Sequence, residues 1–487
     1  MKMIKKLILL LLITSTIITV FSCGNSNTPD KTDADDLTAD NPQEKTAASV
    51  EDIYPYPKHD FGGADINFLA CQNNMAGQDF EDIRVEEITG EVLNDAVYQR
   101  TSTVEEKYNV TVNVTYNPDP TAATVKNVRA GDDSYQIIQD KLQYVLNTLA
   151  TQGYLYNLAV VDAINLNAPW YNQNAIKDLA INKKTTAISG DMTVNDKIGV
   201  TLTFFNKKIA EDNGLENLYN TVRNGKWTLD KMHELMRKTS RDLDGDGVMS
   251  LDNDLWGLMA EPFTGWTLLL GSGNRLASLD SNGLPIITAN QPKLISDYEK
   301  IMDIMYDNQN HIWANSLTPY TVNFMENRNF MQINAMSMLV QLRPMADDFG
   351  IIPLPKQSED QKDYYTSNSL YLARFIAVPN TCSKVEMTGA VIDALARESQ
   401  DTIVPAYYDN LLENKIARDN DSVEMLKMIF NSIIYDIGAC YNWGNLWFMH
   451  QQFIMEERRD YVSFFESQSG KIYAEMEKTI NEMLKND

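Results

Sequence analysis

An alternation of strand-like and helix-like stretches is the feature that most constrains the fold of this chain. From Ala64, the residues ADINFLACQNN alternate between apolar and polar side chains and then turn polar. In the next stretch, Val92, Val97, Val104 and Tyr108 fall on one helical face, and VTVNVTY resumes a strand pattern. Strand, helix, strand is the start of a βαβ unit. The pattern therefore predicts an α/β fold with largely parallel sheets flanked by helices.

Similar units continue along the chain. Strand patterns recur in SYQIIQD, KIGVTLTFF and SLYLARFIAVPN, and a helical pattern runs through KLQYVLNTLATQ to a glycine. From about Asp401 onward the pattern is nearly all helical. With 487 residues, the chain is too long for one small domain. Because domains average about 150 residues, two lobes are expected.

Charge and cysteine content exclude several classes of partner. The net charge is -25, which argues against nucleic acid and anionic bilayers, since both require cationic protein surfaces. Besides Cys23, the cysteines are Cys71, Cys382 and Cys440, which are far apart and lack metal-ligand spacing. Buried free thiols are therefore expected rather than a disulfide framework.

The first residues have the layout of an export signal. Lysines at positions 2, 5 and 6 precede an apolar run to Val20, which is too short for a spanning helix. The run ends at Cys23 and resembles a bacterial lipobox, although Phe21 replaces the usual small residue. We predict removal of residues 1–22, lipidation of Cys23 and anchoring at the extracellular face of the membrane; a plain secretory signal is the alternative. Residues 23–52 are polar and acidic, and are predicted to be a disordered tether.

The stretch RDLDGDGVMSLDNDLWGL has the spacing of a calcium loop. Asp242, Asp244 and Asp246 occupy positions one, three and five, a glycine follows at six, and Val248 at seven offers a carbonyl. Position twelve holds an asparagine instead of glutamate, so Asp252 or Asp254 would close the site. A single loop indicates a structural Ca²⁺ site rather than a sensor. The alternative is a solvated acidic turn.

Four passages resemble, in the same order, the family 1 extracellular solute-binding proteins of ABC importers. The first two are VTLTFFNKKIAEDNGL, similar to a crossing strand and helix start, and GKWTLDKMHELMRKTSRDLDGDG, similar to a helix that leads to a calcium-like loop. The others are NAMSMLVQLRPMADDFGIIPLP, similar to a small-residue strand before a PLP corner, and LYLARFIAVPNTCSKVEMTGAVIDALA, similar to the return to the first lobe.

The resemblance implies a two-lobed periplasmic-binding-protein type II fold. Lobe 1 would comprise 53–200 and 370–400, lobe 2 would comprise 201–369, and the helical tail at 401–487 would pack on lobe 2 and the hinge. It also implies a monomeric receptor that captures a small solute, most commonly an oligosaccharide, and delivers it to the permease subunits of an ABC transporter. Two lobes joined by strands can close around a ligand.

A sugar site should offer aromatic faces and planar polar side chains. AEPFTGWTLLLGSG supplies Glu261, Phe263 and Trp266 and is similar to a stretch that meets the ligand in maltodextrin binders. YNWGNLW in the tail supplies Trp443 and Trp447, where the family often places a stacking aromatic. Further candidates lie near the ends of predicted strands or in the loops that follow them: Gln72, Asn73, Asp140, Trp170, Tyr171, Asp191 and Arg343. For any one of these residues, core or surface packing is the competing interpretation.

A surface-anchored enzyme that degrades polysaccharide remains the alternative function. Such an enzyme would use a pair of carboxylates, and with 67 acidic residues some pair always lies near a cleft. The four histidines show no HExxH spacing, and no GxSxG motif occurs. The sequence thus favours a binding protein without a catalytic site.

Overall fold

The computed structural model describes residue 54 and residues 56–72, 81–261, 263–313, 320–407 and 419–485. The predicted signal peptide, the tether, Cys23 and Asn73 lie outside these residues. Residues Pro57–Asp487 form one compact unit, and the following description concerns that unit. None of the helices in the described ranges is long and apolar enough to cross a bilayer.

Strands and helices alternate over most of this unit. The strands are β1 (Ala64–Cys71), β2 (Val110–Asn117), β3 (Ile137–Lys141), β4 (Thr201–Asn206), β5 (Trp256–Ala260), β6 (Ala277–Leu279), β7 (Pro285–Ile287), β8 (His311–Trp313), β9 (Asn329–Ala335), β10 (Phe349–Ile352), β11 (Thr366–Ser367), β12 (Arg374–Ala377) and β13 (Ile433–Ile434). The α-helices are α1 (Val92–Tyr108), α2 (Pro120–Ala130), α3 (Leu142–Tyr144), α4 (Gln173–Leu179), α5 (Lys207–Asp212), α6 (Leu218–Arg223), α7 (Leu229–Thr239), α8 (Thr264–Gly271), α9 (Pro292–Met305), α10 (Tyr320–Met325), α11 (Leu339–Leu342), α12 (Val385–Asp401), α13 (Asn420–Asn431), α14 (Ile437–Tyr441), α15 (Leu446–Met455) and α16 (Tyr461–Met483).

The first sheet has the strand order β12-β3-β1-β2. Strand β1 pairs in parallel with β2 and β3, whereas β12 is antiparallel to β3. The alternating sequence of β1 buries Ile66 and Phe68 completely. Helix α1 packs against α12 and β2, and it ends at Asn109, whose φ of 49° turns the chain directly into β2. The βαβ start predicted from the sequence is therefore confirmed.

The second sheet has the order β10-β4-β9-β5-β8. Strand β5 is parallel to β8 and β9, but β4 runs antiparallel to both β9 and β10. All six residues of β4 are buried, as expected for a strand in the interior of a sheet that is covered on both faces. The α/β prediction is confirmed, with mixed sheets in which β4, β10 and β12 introduce the antiparallel pairings.

Three chain segments lie where the two sheets are connected. The first leads from the first sheet into β4, and Val200 at its end bridges to Asn368. The second runs from β11 to β12 and thus returns to the first sheet. The third is β13 of the tail, which pairs in parallel with β11.

The tail consists mainly of helices and contacts several parts of the unit. Helix α15 packs against α8, and α13 packs against β10. Helix α16 contacts a short 3₁₀ turn at Ala150–Gln152, which follows a π-helical turn at Val145–Leu149. The tail therefore lies against elements that belong to both predicted lobes.

Candidate ligand-binding cavity

A cavity of about 490 Å³ lies at the carboxyl ends of β5 and β9, beside the segments that connect the sheets. Its volume is in the range of small-molecule sites, about 300–1,000 Å³. The described residues that line it come from the second sheet, the β11–β12 connection, and helices α8, α11 and α15: Thr201, Glu261, Phe263, Trp266, Thr267, Asn334, Ala335, Ser337, Met338, Gln341, Ser367, Asn368, Ser369, Leu370, Tyr371, Leu372, Trp447 and Gln451.

Aromatic side chains form much of the wall. Phe263 and Trp266 come from the start of α8, Trp447 comes from α15, and Tyr371 lies before β12. The rings of Tyr371 and Trp447 have centroids 5.7 Å apart, so these two residues form one continuous aromatic patch. Such rings present flat apolar faces to a ligand.

A buried histidine supports Trp266 from behind. The ring of His450 lies 6.2 Å from that of Trp266, and burial lowers the pKa of His450 to about 3, so the imidazole is neutral. The hydroxyl of Tyr461 lies 2.9 Å from both the Ala289 carbonyl oxygen and Nε2 of His450. Because a carbonyl only accepts, the phenol donates to Ala289 and Nε2 of His450 carries the proton that is donated to Tyr461. The ring of His450, against which Trp266 lies, is therefore held in place by hydrogen bonds.

Three polar atoms in the wall are buried without a partner among the described residues. They are Oγ of Ser367, Oδ1 of Asn368 and Nε1 of Trp447. The amide nitrogen of Asn368 is used, since it donates to the carbonyl of Asp196 at 2.7 Å. Each buried unsatisfied group costs about 1–3 kcal/mol. A bound ligand with hydroxyl groups, or water, would satisfy two acceptors and one donor at this wall.

Glu261 is the one acidic or basic side chain in that described lining. It follows the carboxyl end of β5 directly. A wall with one carboxylate and otherwise neutral groups favours uncharged ligands over anions, because an anion would meet only a like charge.

Of the residues predicted from the sequence, Glu261, Phe263 and Trp266 line the cavity together. Arg343 lies just beyond α11, close in sequence to the lining residue Gln341, but it is exposed and outside the lining. Among the predicted site residues, those of the EPFTGW stretch are therefore the ones that lie together at the cavity.

Trp170 and Tyr171 lie elsewhere, in the core beside α12. The indole Nε1 of Trp170 and the hydroxyl of Tyr171 both donate to Oδ1 of Asp393, at 3.2 and 2.8 Å. Burial raises the pKa of Asp393, which these two donors partly offset. Gly190 packs against this pair so closely that a Cβ there would lie 2.0 Å from the carbonyl of Trp170. Core packing explains these two aromatics.

The remaining candidates also have local partners away from the cavity. Asp140 is buried and accepts from the backbone N–H and hydroxyl of Thr121, at 3.2 and 2.7 Å. Asp191 accepts from Gln400, and Gln72 is exposed, its backbone N–H donating to Asn117.

Trp443 is buried in the tail. Its ring stacks on Tyr441 with centroids 5.2 Å apart, and its indole N–H donates to Thr479. The tail tryptophan that reaches the cavity is instead Trp447, four positions further along the same YNWGNLW motif. Positive φ angles at Gly444 and Asn445 interrupt the helical path between the two tryptophans, so the motif alone leaves open which one lines the cavity.

The structure adds lining residues that sequence reasoning missed. Asn334 is the second-to-last residue of β9, and residues 367–372 lie at the end of β11 and in the β11–β12 connection. The strand pattern predicted in SLYLARFIAVPN covers residues 369–372, but β12 begins only at Arg374, so these lining residues lie in the loop before it. The β11–β12 connection reaches the cavity because β11 pairs with β13, a tertiary contact that local pattern does not reveal.

The acidic loop lies at the opposite end of the second sheet. Ligand oxygens of Asp242, Asp244 and Asp246 lie within 4.8 Å of one another, and all three residues are exposed. Arg328, just before β9, donates to the carbonyls of Leu251 and Asp252, at 2.8 Å each. The cavity lies past the other ends of β5 and β9, so about 15–20 Å of strand separates the two features.

Backbone N–H groups already organise this loop. Asp242 accepts from Gly245 and Gly247, and Asp246 accepts from Val248. The two oxygens of Asp254 accept from the N–H groups of Leu243 and Ser250, at 2.8 and 2.6 Å, and these bonds lower the pKa of its carboxyl. Asp254 therefore closes the base of the loop, whereas Asp252 remains exposed.

No model of a protein family matches the sequence, and no curated protein matches it. Solved structures do match. The GacH receptor of Streptomyces glaucescens, solved unliganded and with acarbose, is 13% identical, with a TM-score of 0.53 over 85% of this chain and 98% of its own. An ABC substrate-binding protein from Listeria monocytogenes in complex with cycloalternan is 12% identical, with a TM-score of 0.54 over 85% and 99%.

A third structure is the maltose/maltodextrin-binding domain MalE from Bdellovibrio bacteriovorus bound to maltotriose. It is 16% identical, with a TM-score of 0.52 over 86% of this chain and 100% of its own. These matches extend over both sheets and the connecting segments, since they cover most of the described unit. The chain therefore has the two-lobed α/β fold of the periplasmic binding proteins.

Proposed function

We propose that this protein is the extracellular solute-binding receptor of an ABC importer and that its cavity captures an oligosaccharide. The observation that carries the proposal is a single cavity that combines an aromatic wall with three buried polar atoms lacking partners among the described residues. The proteins of like fold support it, since their structures hold acarbose, cycloalternan and maltotriose.

The cavity suits sugar chemistry in two ways. Trp266, Phe263 and Trp447 offer ring faces for the apolar side of a pyranose. Ser367, Asn368 and Glu261 offer oxygens to which hydroxyl groups donate, while Nε1 of Trp447 donates to a hydroxyl oxygen. A neutral, hydroxyl-rich ligand pairs these groups without an opposing charge.

Capture would be coupled to delivery through movement of the lobes. The cavity lies next to the segments that connect the two sheets, so rotation about those segments would close the site around the ligand. A permease that recognises the closed form would then accept the solute.

A lipid anchor would hold the receptor at its site of action. The lipobox-like run that ends at Cys23, followed by a polar stretch, supports lipidation of Cys23 and retention at the extracellular face of the membrane.

We further propose that the acidic loop holds a structural Ca²⁺ ion. The clustered oxygens of Asp242, Asp244 and Asp246 are the ligands that Ca²⁺ prefers. Val248 stands at position seven, and the exposed Asp252 lies one residue before position twelve and would complete the set. The ion would offset repulsion between the carboxylates.

A binding role is favoured over glycoside hydrolysis. Hydrolysis requires two carboxyl groups that flank the scissile bond, about 5–10 Å apart. Glu261 is the one carboxylate among the described lining residues. Incubation of the protein with oligosaccharides therefore should give saturable binding without products, and released shorter sugars would identify an enzyme.

Calorimetry with neutral oligosaccharides tests the proposal directly. Trp266→Ala should weaken binding by about 5- to 30-fold, since a stacked aromatic contributes roughly 1–2 kcal/mol. Trp313→Ala is the matched control, because Trp313 is a half-buried tryptophan of β8 outside the cavity lining. Equal affinity of the two variants for a ligand that binds the wild type would place the site elsewhere.

A further inference from the structure

A second cleft, with a volume of about 750 Å³, lies on a different part of the surface. It is bounded by α4, the end of α6, the segment before β11, and the end of α13. It shares no lining residue with the cavity described above, so far as the described residues show. We call it the basic cleft, after Lys177, Arg275 and Lys362 in its wall.

Arg275 is the central feature of the basic cleft. Its guanidinium lies 5.4 Å from the ring centroid of Tyr365, and its Nη1 donates to the carbonyl of Asn274 at 2.8 Å. Its remaining N–H groups have no hydrogen-bond partner in the described part of the chain. A half-buried guanidinium with open N–H groups is suited to a planar or tetrahedral oxyanion.

Lys177 and Lys362 add two further positive charges. Neither forms an ion pair with a carboxylate of the described residues, and both are exposed at the edge of the cleft. In a chain with a net charge of -25, unpaired cations that converge on one cleft are unexpected for a purely structural surface.

The other charged side chains of the cleft either form ion pairs or hydrogen bonds of their own, or offset only part of the positive charge of Arg275 and the two lysines. Arg223 pairs with Asp421 and Glu424. Asp178 accepts from the backbone N–H of Tyr435 at 3.0 Å, and together with the buried Asp436 it offsets part of the positive charge of Arg275. Asp363 is exposed and lies next to Lys362 in the chain. The open donors therefore belong to Arg275 and the two lysines.

We propose that the basic cleft is a second ligand site, which binds a small solute through a phosphate or carboxylate group held by Arg275, Lys177 and Lys362. The open N–H groups of Arg275 would take the oxyanion, and the lysines would supply the additional positive charge. The hydroxyl of Tyr365, which forms no hydrogen bond in the described structure, lies in the same wall. The preference for anions is opposite to that of the sugar cavity, whose described wall holds a carboxylate and no cation.

Titration calorimetry of the full chain at constant ionic strength tests this site. Three probes are used: inorganic phosphate, citrate, and chloride as the control for simple screening. Saturable binding of phosphate alone identifies a phosphate site, saturable binding of citrate alone identifies a carboxylate site, and binding of both identifies a general oxyanion site. No saturable binding of phosphate or citrate, or an equal response to chloride, would overturn the proposal.

Substitutions locate the binding. Lys177→Gln with Lys362→Gln should weaken binding of the active probe by about 10-fold, because two charge-assisted contacts are lost. Lys208→Gln with Lys238→Gln removes the same charge from exposed helix positions outside the cleft and should change affinity less than about twofold. Equal effects of the two double variants would show that only net charge matters.

Arg275→Lys tests the planar guanidinium while keeping the charge, and a thermal melt checks that this variant folds. A folded variant with wild-type affinity would remove Arg275 from the site. Oligosaccharide binding, measured in parallel, should be unchanged in the lysine variants. The two sites can therefore fail independently.

Discussion

At the scale of single residues, the cavity wall holds groups that are costly in the free protein and useful in the complex. Nε1 of Trp447 is a donor only, and it is buried without an acceptor among the described residues. Oγ of Ser367 and Oδ1 of Asn368 are also buried without a hydrogen-bond partner among the described residues. A ligand that forms hydrogen bonds with these atoms removes the free-energy cost of leaving them unsatisfied in the free protein.

Trp447→Phe separates this hydrogen bond from ring stacking. The variant keeps an aromatic face but loses the donor, so the dissociation constant for the sugar should rise about fivefold. The melting temperature of the free protein should not fall appreciably, since an unsatisfied donor is removed along with part of the ring. Calorimetry and a thermal melt measure the two effects. A fall in stability with unchanged affinity would assign Trp447 to packing alone.

We expect the stability of the protein to depend on pH because of Asp196, which lies close to the cavity wall. Burial raises the pKa of its carboxyl to about 6, although Lys197 donates to it at 3.1 Å. The folded protein then binds this proton more tightly than the unfolded chain. Its contribution to stability is full below about pH 4 and is lost as the pH rises through about 6.

Asp196→Asn removes that titration. The free energy of unfolding of the wild type relative to the variant should decline between pH 4 and pH 7, measured by urea unfolding at each pH. Asp162→Asn, at an exposed aspartate, is the control. A difference between wild type and Asp196→Asn that stays constant over this range would contradict the assignment.

At the scale of elements, periodicity was sufficient where a segment has one buried face. The strand from Ala64, the helix from Val92 to Tyr108 and the strand that follows were predicted from alternation and helical spacing. The helix predicted in KLQYVLNTLATQ instead changes from α to π to 3₁₀ before Gly153, whose φ of 69° ends it. Such changes depend on packing rather than on sequence period.

The candidate site was predictable only in part for a related reason. The EPFTGW stretch carries three of the lining residues on one short segment. The β11–β12 connection enters the cavity through pairing with a strand more than sixty residues later in the chain, which no local pattern encodes. Trp170 and Tyr171 were proposed on aromatic character, but aromatic residues are also common in cores, and Asp393 engages both.

The acidic loop is an element whose role can be tested by removing the ion. It links α7 to β5, and Gly257 in β5 packs so closely on α7 that a Cβ there would lie 2.5 Å from the backbone of Met236. A Ca²⁺ ion in the loop should therefore stabilise this helix–strand contact. With a dissociation constant of about 0.1–1 mM, 1 mM Ca²⁺ adds about 0.4–1.4 kcal/mol to the free energy of unfolding.

EDTA should lower the melting temperature, Ca²⁺ should restore it, and Asp244→Ala with Asp246→Ala should abolish the response. Sugar affinity should stay within about twofold, because the loop and the cavity lie at opposite ends of the second sheet. A melting temperature that Ca²⁺ leaves unchanged would make the loop an acidic turn. A tenfold change in sugar affinity would make the site regulatory rather than structural.

At the scale of the whole molecule, two sheets are connected by few segments, and the cavity lies beside them. The chain enters the second sheet through Val200 and β4, and it returns to the first sheet through β12. Strand β13 of the tail pairs with β11, which precedes that return. A small number of connections allows the lobes to rotate about them with little disturbance of either core, and such a rotation changes the shape of the cavity between open and closed forms.

Sugar binding should therefore make the protein more compact. Small-angle scattering with and without a saturating oligosaccharide should show a smaller radius of gyration in the complex, because contacts with both lobes favour the closed form. Trp266→Ala at the same sugar concentration should be less compact than it is at full saturation, since Trp266 lies in the cavity wall and its loss should weaken binding. Raising the sugar until this variant saturates should restore the compact form, which separates a loss of affinity from a loss of closure. An unchanged radius of gyration in the saturated wild type would show that the protein binds sugar without closing, and would contradict a rotation of the lobes on binding.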